Sequence, residues 1–335
     1  MKSLLDPAIL FFVFGMLAGL VKSNLEIPPQ IARFLSLYLL MALGLKGGFA
    51  LAESGLTGEV AISLGCAVAL AFAVPAAGYV LLRKFLNGYD AAAIAATYGS
   101  VSAVTFITAT QYLDGQGIFY GGHMAAAMAL MESPAIVMAV FLANRVRQQS
   151  LGALRAGSAG SGGSAALDHA KSALLGHILR ESLTDGTQLL LLGAMVIGIL
   201  TGAAGQASMK PFTGDLFKGM LAFFLLDMGL QAARNMGELR GKSPWLLAYA
   251  IVGPLAHAAI ALALGVALGM SAGNTTLLMV LAASASYIAV PAVIRHAIPE
   301  ASPSLYFGMS LGLTFPFNIL VGIPLYLYAA QRWLG

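Results

Sequence analysis

The chain has 335 residues, 59% of them hydrophobic and only 10% charged, with a formal net charge of +4 and a mean hydropathy of +0.84. A soluble domain is roughly 45–50% apolar and about 25% charged, so this composition excludes one and predicts a polytopic membrane protein. Cys66 is the single cysteine, which excludes an intramolecular disulfide.

In chain order, ten apolar stretches approach or exceed the roughly 20 residues that a spanning helix needs. They lie near 7–22, 31–52, 58–82, 91–113, 120–143, 185–205, 215–235, 243–269, 275–297 and 304–331. The first has a lysine before it but no small-residue cleavage site, so it reads as a retained helix rather than a signal peptide. Between the fifth and sixth stretches, residues 145–184 form a connection. It holds the Gly/Ser-rich run 156–164, expected to be a flexible linker. Leu167, Ala170, Leu174, Leu175, Ile178 and Leu179 follow at helical spacing, predicting a short amphipathic helix. Placing this connection inside puts thirteen basic residues, among them Lys22, Arg33, Arg83, Arg147 and Arg295, on the cytoplasmic side. Both termini are then outside an inner membrane. Orientation accounts for the basic residues, leaving no case for nucleic-acid binding.

The chain repeats itself. Gly15-Met16-Leu17-Ala18-Gly19 returns 183 residues later as Gly198-Ile199-Leu200-Thr201-Gly202, and Leu43-Gly44-Leu45 returns 185 residues later as Met228-Gly229-Leu230. Ser100-Val101-Ser102 returns 184 residues later as Ser284-Ala285-Ser286. Five spans per copy would invert the second copy, a plan used by secondary transporters, whose substrate sites lie near the midplane where the copies meet. The expected organisation is therefore a first five-helix repeat over 1–144, the linker over 145–184 and an inverted second repeat over 185–335.

Spans four and nine are each interrupted by Ser-x-Ser, flanked by Gly99 in one and Pro291 in the other, and each is expected to start at an N-cap, Asp90 and Asn274. Non-helical backbone at membrane depth must line a buried or hydrated cavity, so the breaks predict a site. Half-helices restarting there would aim two positive N-termini at it, which suits an anion. Ser100, Ser102, Ser284, Ser286 and Thr105 offer hydroxyls for an anion or a cation.

Ionisable residues inside spans are costly and mark function or pairing. Glu132 and Asp227 are mid-span, and Lys46 lies in the repeat counterpart of the Asp227 span. Sodium prefers oxygen ligands, so Glu132, Asp227, Ser102, Ser286, Thr105 and freed carbonyls are candidates. The alternative for Asp227 is a structural ion pair with Lys46. Pro134 and Pro316 occupy matched places in spans five and ten, and Asn318 adds a polar group beside the second. His123, at a span start, is expected at the membrane interface. No P-loop, dinucleotide fingerprint, metal-ligand cluster or activated serine appears, so neither an enzyme nor a resident cofactor is expected.

These residues resemble the sodium-dependent bicarbonate transporter family over nearly the whole chain. The resemblance rests on Gly99-Ser100-Val101-Ser102 with Thr105, Met131-Glu132-Ser133-Pro134-Ala135, Met228-Gly229, Gly237-Glu238-Leu239-Arg240, Ala282-Ala283-Ser284-Ala285-Ser286 with Pro291, and Ile298-Pro299-Glu300-Ala301-Ser302-Pro303-Ser304. It implies an all-α protein of ten transmembrane helices in two inverted five-helix repeats, with helices four and nine broken and with core and gate domains. It further implies trimeric assembly, sodium-coupled bicarbonate uptake, and in some members a PII-like cytoplasmic regulator. By position it assigns the anion to Gly99, Ser100, Ser102, Thr105, Ser284, Ser286 and Tyr287. The sodium falls to Ser102, Thr105, Glu132, Asp227, Ser286 and Asn318. Cyanobacterial members carry an acidic residue where this chain has Tyr287 and an Asp where it has Glu132; Asp227 is the candidate to replace the missing charge. Uptake of another small carboxylate or oxyanion, or a non-transporting sensor or scaffold, are the alternative readings.

Overall fold

The computed structural model describes residues 6–55, 57–156, 186–239 and 241–335. The amphipathic helix expected over 167–179 lies outside the described residues. Among those described, every regular element is helical: α1 (Pro7–Leu20), α2 (Pro29–Ser54), α3 (Gly58–Leu82), α4 (Gly88–Gly99), α5 (Ala103–Gln116), α6 (Met124–Ala156), α7 (Gly186–Lys210), α8 (Leu216–Met236), α9 (Pro244–Ala267), α10 (Ala272–Ala283), α11 (Ala289–Ala297) and α12 (Pro303–Leu334). Seven runs are long and apolar enough to cross a membrane, and α1 and α10 are shorter apolar helices. The protein is a multi-pass membrane protein.

One of the seven runs, Gly186–Met236, has 51 residues, or about 75 Å as a straight helix, far more than a bilayer core of about 30 Å. It therefore folds back. Gly202 adopts φ 51°, outside helical geometry and open to glycine at little cost, and Pro211–Asp215 form a π-turn before α8 begins. The neighbours of α2 give the directions. Gly44 meets Leu191 and Ala194, and Gly48 meets Met195 and Gly198, so α2 and α7 run parallel. The Lys46 ammonium sits over Phe217, whereas Arg33 and Ser36 line one cavity with Asp227 and Gln231, so α2 and α8 run antiparallel. Counting α7 and α8 apart, and each broken pair as one pass, gives ten passes.

Two packed groups emerge. Helices α1, α2, α7 and α8 hold one another through very close backbone approaches. A Cβ on Gly15 would lie 2.3 Å from the carbonyl oxygen of Leu226, and one on Gly229 would lie 2.2 Å from that of Phe12. Small residues at such seams let dispersion and backbone contacts hold helices together where lipid supplies no hydrophobic drive. The second group is α3, α4, α6, α9, α10 and α11, built round wholly buried alanines such as Ala91–Ala96 of α4. Helix α12 touches both groups. Its two π-stretches, Gly308–Thr314 and Asn318–Gly322, flank Pro316, where the missing amide loosens the helical ladder.

Three sequence expectations need correction. The caps of α4 and α10 are Asn87 and Ser271, three residues before Asp90 and Asn274. Asn87 accepts from the amides of Tyr89 and Asp90 at 3.0 and 2.9 Å, and Ser271 accepts from the Asn274 amide at 3.4 Å. Asp90 and Asn274 reach sideways instead, accepting from the amides of Ser302 and Gly121, each at 2.7 Å. His123 is buried, not interfacial, 4% exposed at the start of α6. Lys46 does not pair with Asp227. Its ammonium bonds Asp114 at 2.9 Å, and Asp227 accepts from its own helix, from Gln231 at 2.7 Å.

Gly15→Ala and Gly229→Ala each force a methyl onto backbone, an overpacking worth about 1–3 kcal/mol, so both are expected to lower the unfolding temperature in detergent. Gly65→Ala on α3 meets nothing within 4 Å and should leave it unchanged or raise it by the helix-propensity gain of about 1 kcal/mol.

Candidate functional site

Helices α4 and α5 are separated by residues 100–102, and α10 and α11 by residues 284–288, so both predicted breaks form. They cross and bond one another. The Ser102 amide donates to the Ser284 hydroxyl at 3.0 Å, and the Ser286 amide donates to the Thr97 carbonyl at 2.9 Å. Each break exposes two helix ends of opposite polarity, and the protein treats them differently.

The carbonyl ends of α4 and α10 are stitched up. Ser286 caps the Thr97 carbonyl, and the Asn318 amide donates to the Ala283 carbonyl at 2.8 Å while its oxygen accepts from the Tyr326 hydroxyl at 2.8 Å. Tyr98 reaches from α4 to Thr314 at 2.6 Å, and Thr314 donates on to the Ala250 carbonyl at 2.6 Å. The amide ends are left facing open space. A cavity of about 70 Å³ is lined by Val101, Ser102, Ala103 and Val104 at the start of α5 and by Ser286, Tyr287, Ile288 and Ala289 at the start of α11. Each of those helices carries roughly half a positive charge at that end. The cavity is therefore positive on two sides without any arginine.

The remaining wall supplies the opposite charge. Glu132 from α6 lines the cavity together with Ser36, Thr187 and Gln188, and Gln188 donates to its carboxylate at 2.9 Å. Ser102 is the hub of the hydroxyls: it accepts from the Thr105 amide at 3.2 Å and from the Thr105 hydroxyl at 2.9 Å, and donates to the Tyr287 hydroxyl at 3.3 Å. The Tyr287 ring packs edge-on against Phe315, which fixes the phenol beside the cavity. Ser286 accepts from the Val290 amide at 3.3 Å and so caps α11 as Ser102 caps α5. Two helix N-termini, two capping hydroxyls, a phenol and one carboxylate share a space of small-molecule size. Such a set suits a small anion beside a cation.

Of the residues singled out from sequence, the cavity brings together Ser102, Ser286, Tyr287 and Glu132. Thr105 stands one bond behind it, through Ser102. The Ser284 hydroxyl bridges the crossing, donating to the Leu281 carbonyl at 3.0 Å, and Gly99 packs on Pro75, where a Cβ would lie 2.6 Å from the ring. Ser100 is buried but does not line the cavity. Asn318 holds the end of α10. Asp227 lines a neighbouring vestibule of about 1150 Å³, which shares Ser36, Thr187, Tyr287 and Ile288 with the cavity. Sequence reasoning missed Gln188, Thr187 and Ser36; the signal available was a polar residue near the start of each of the two apolar stretches. Among the described residues, no group of three or more His, Cys, Asp or Glu is placed to hold a metal ion.

A family model described as the Na+-dependent bicarbonate transporter superfamily matches residues 7–331. The chain belongs to this superfamily. No curated protein matches it. Superfamily membership makes the protein a membrane transporter by family, and it matches the chemistry of the cavity, which offers helix ends for an anion and a carboxylate for a cation.

Asn318→Leu removes the partner of the Ala283 carbonyl and of the Tyr326 hydroxyl. Burying unsatisfied polar groups costs about 1–3 kcal/mol each, so this variant is expected to lose thermal stability measurably, whereas Ser100→Ala should be near neutral in the same unfolding assay.

Proposed function

We propose that this protein is a sodium-coupled symporter that takes up bicarbonate across the inner membrane by alternating access. The single observation that carries the reading is the cavity at the crossed breaks, positive at the starts of α5 and α11 and negative at Glu132. Bicarbonate is small, planar and singly charged, and its oxygens suit the first-turn amides of α5 and α11 with the Ser102 and Ser286 hydroxyls. Sodium sits beside it, held by Glu132 and those hydroxyls. Loading both ions keeps the site close to neutral and limits the cost of carrying charge through hydrocarbon. Tyr287 serves as a neutral wall, orienting Ser102 rather than ligating a cation by charge.

The two inverted repeats supply the framework. In support, Gly15 of α1 packs on Leu226 and Gly229 of α8, while Gly198 of α7, its sequence counterpart, packs on Leu45 and Gly48 of α2. A pseudo-two-fold relation demands such exchanged contacts. The group α1, α2, α7 and α8 then acts as the gate domain, and the group holding the broken helices acts as the moving core. The 1150 Å³ vestibule carries Arg33 and Arg295, both on the side made cytoplasmic by the positive-inside rule, and so opens inward. Trimeric assembly and docking of a PII-like regulator on that basic face complete the proposal.

The test is radiolabelled bicarbonate uptake into proteoliposomes, with and without an inward sodium gradient. Sodium-dependent uptake above empty liposomes is expected; its absence from folded, reconstituted protein would remove the reading. Loss of a hydrogen bond to a charged group is worth about 1.5–3 kcal/mol, so Ser102→Ala and Ser286→Ala should each raise the bicarbonate KM about ten- to a hundredfold. Glu132→Gln should weaken sodium dependence by a similar factor. Asp227→Asn, outside the cavity, should change it by less than about threefold, as expected of a partly solvated charge.

A further inference from the structure

The faces on either side of the cavity are not alike. On one side it opens into the 1150 Å³ vestibule through four shared residues. On the other lies a second chamber of about 590 Å³, with which the cavity shares none. An apolar layer separates them. Leu40, Val104 and Met128 line the cavity, while Leu43, Phe106 and Ala125, less than one helical turn further along α2, α5 and α6, line the chamber.

This closed side has features that the open side lacks. A Cβ on Gly122 would lie 2.2 Å from the Gly47 carbonyl oxygen and 2.9 Å from the Ala50 Cβ, and one on Gly47 would lie 2.9 Å from the Gly122 carbonyl oxygen. The backbone of α2 and the start of α6 thus touch with no side chain between them. Beside this seam, Lys46 of α2 bonds Asp114 of α5 at 2.9 Å while its ammonium sits over Phe217 of α8, 5.1 Å from the ring centre. Tyr120 adds a second hydrogen bond to Asp114. The ion pair therefore ties the helix pair α2 and α8 to the broken helix whose start forms the anion site. The other ion pair among the described residues, Arg147 with Glu300, joins α6 to the loop before α12 and does not reach α2.

We propose that the Lys46–Asp114 pair and the Gly47–Gly122 seam together form the latch that shuts the chamber side of the path, holding the protein with its cavity open to the vestibule. The inference rests on the transport reading only in calling the route a path. Glycine at 47 and 122 permits the two backbones to close, and the ion pair, 31% and 36% exposed at its two side chains, is weak enough to open. A stronger pair would trap one state, because an exposed ion pair biases an equilibrium by only about two- to fivefold. Lys46 is thereby a gating residue rather than a ligand.

The test is side-specific labelling of the full-length protein in liposomes with a membrane-impermeant thiol reagent, in a Cys66→Ser background. One reporter is Leu37→Cys in the vestibule and the other is Leu43→Cys at the apolar layer. With the latch intact, Leu37→Cys should label readily from the vestibule side and Leu43→Cys slowly from the chamber side. Lys46→Ala should speed chamber-side labelling of Leu43→Cys and slow that of Leu37→Cys, each about two- to fivefold. Gly122→Ala, which wedges the seam, should do so by more than about tenfold. The charge swap Lys46→Asp with Asp114→Lys should return both rates towards those of the parent, which also separates a broken latch from a damaged fold. Unchanged rates in Lys46→Ala and Gly122→Ala, or a swap no closer to the parent than the single change, would overturn the latch. Shifted rates in a protein that takes up no bicarbonate would leave the latch standing and remove the bicarbonate reading.

Discussion

A peptide group without a hydrogen-bond partner cannot be left in hydrocarbon, and the architecture of this protein follows from meeting that demand at two places in mid-membrane. Breaking α4/α5 and α10/α11 frees four helix ends. The carbonyl ends are met by protein: Ser286 for Thr97, and Asn318 for Ala283. The amide ends carry only their capping serines and face the cavity. Polarity at the centre of the molecule thus comes from deciding which ends to satisfy internally, and ionisable side chains play a small part. That the cavity contains a single carboxylate and no fixed cation is consistent with this economy, since each buried charge would need its own compensation.

Much of this was legible in the sequence. The 184-residue spacing of the two Ser-x-Ser motifs pointed to both breaks, because paired serines beside glycine or proline weaken a helix at the depth where a continuous span is built from apolar residues. Ser102, Ser286, Glu132 and Tyr287 do meet at one cavity. What could not be read were the sideways partners. Asp90 and Asn274 look like helix caps by spacing, yet Asn87 and Ser271 stand three residues earlier and take that role, freeing the former pair for distant amides. Lys46 and Asp227 look like a pair because the helices carrying them are repeat counterparts. Helices related in that way need not present the same face to each other, and Asp114, 68 residues along the chain from Lys46, is the closer acceptor. Gln188 was invisible for a similar reason: nothing local distinguishes a glutamine that reaches a carboxylate from one that packs.

The glycines divide into two kinds with different purposes. Those between α1 and α8, or α2 and α7, are committed to permanent seams, where any added methyl meets backbone. Gly47 and Gly122 make an equally close approach between parts of the molecule otherwise joined by few contacts. The same residue type thus builds a fixed surface in one place and a parting surface in another. The difference lies in how much else holds the two sides together.

The sideways bonds of Asp90 and Asn274 carry a consequence for how the chain is made. Asp90, early in the sequence, accepts from the amide of Ser302, and Thr97 accepts from that of Ser286; both donors are synthesised nearly 200 residues later. Synthesis at about 5–20 residues per second leaves the first broken helix with these groups unmet for on the order of ten seconds or more. During that interval water or the insertion machinery must serve in their place. The first half can enter the bilayer as it emerges, but its broken helix reaches its final form only when the second half arrives to cross it.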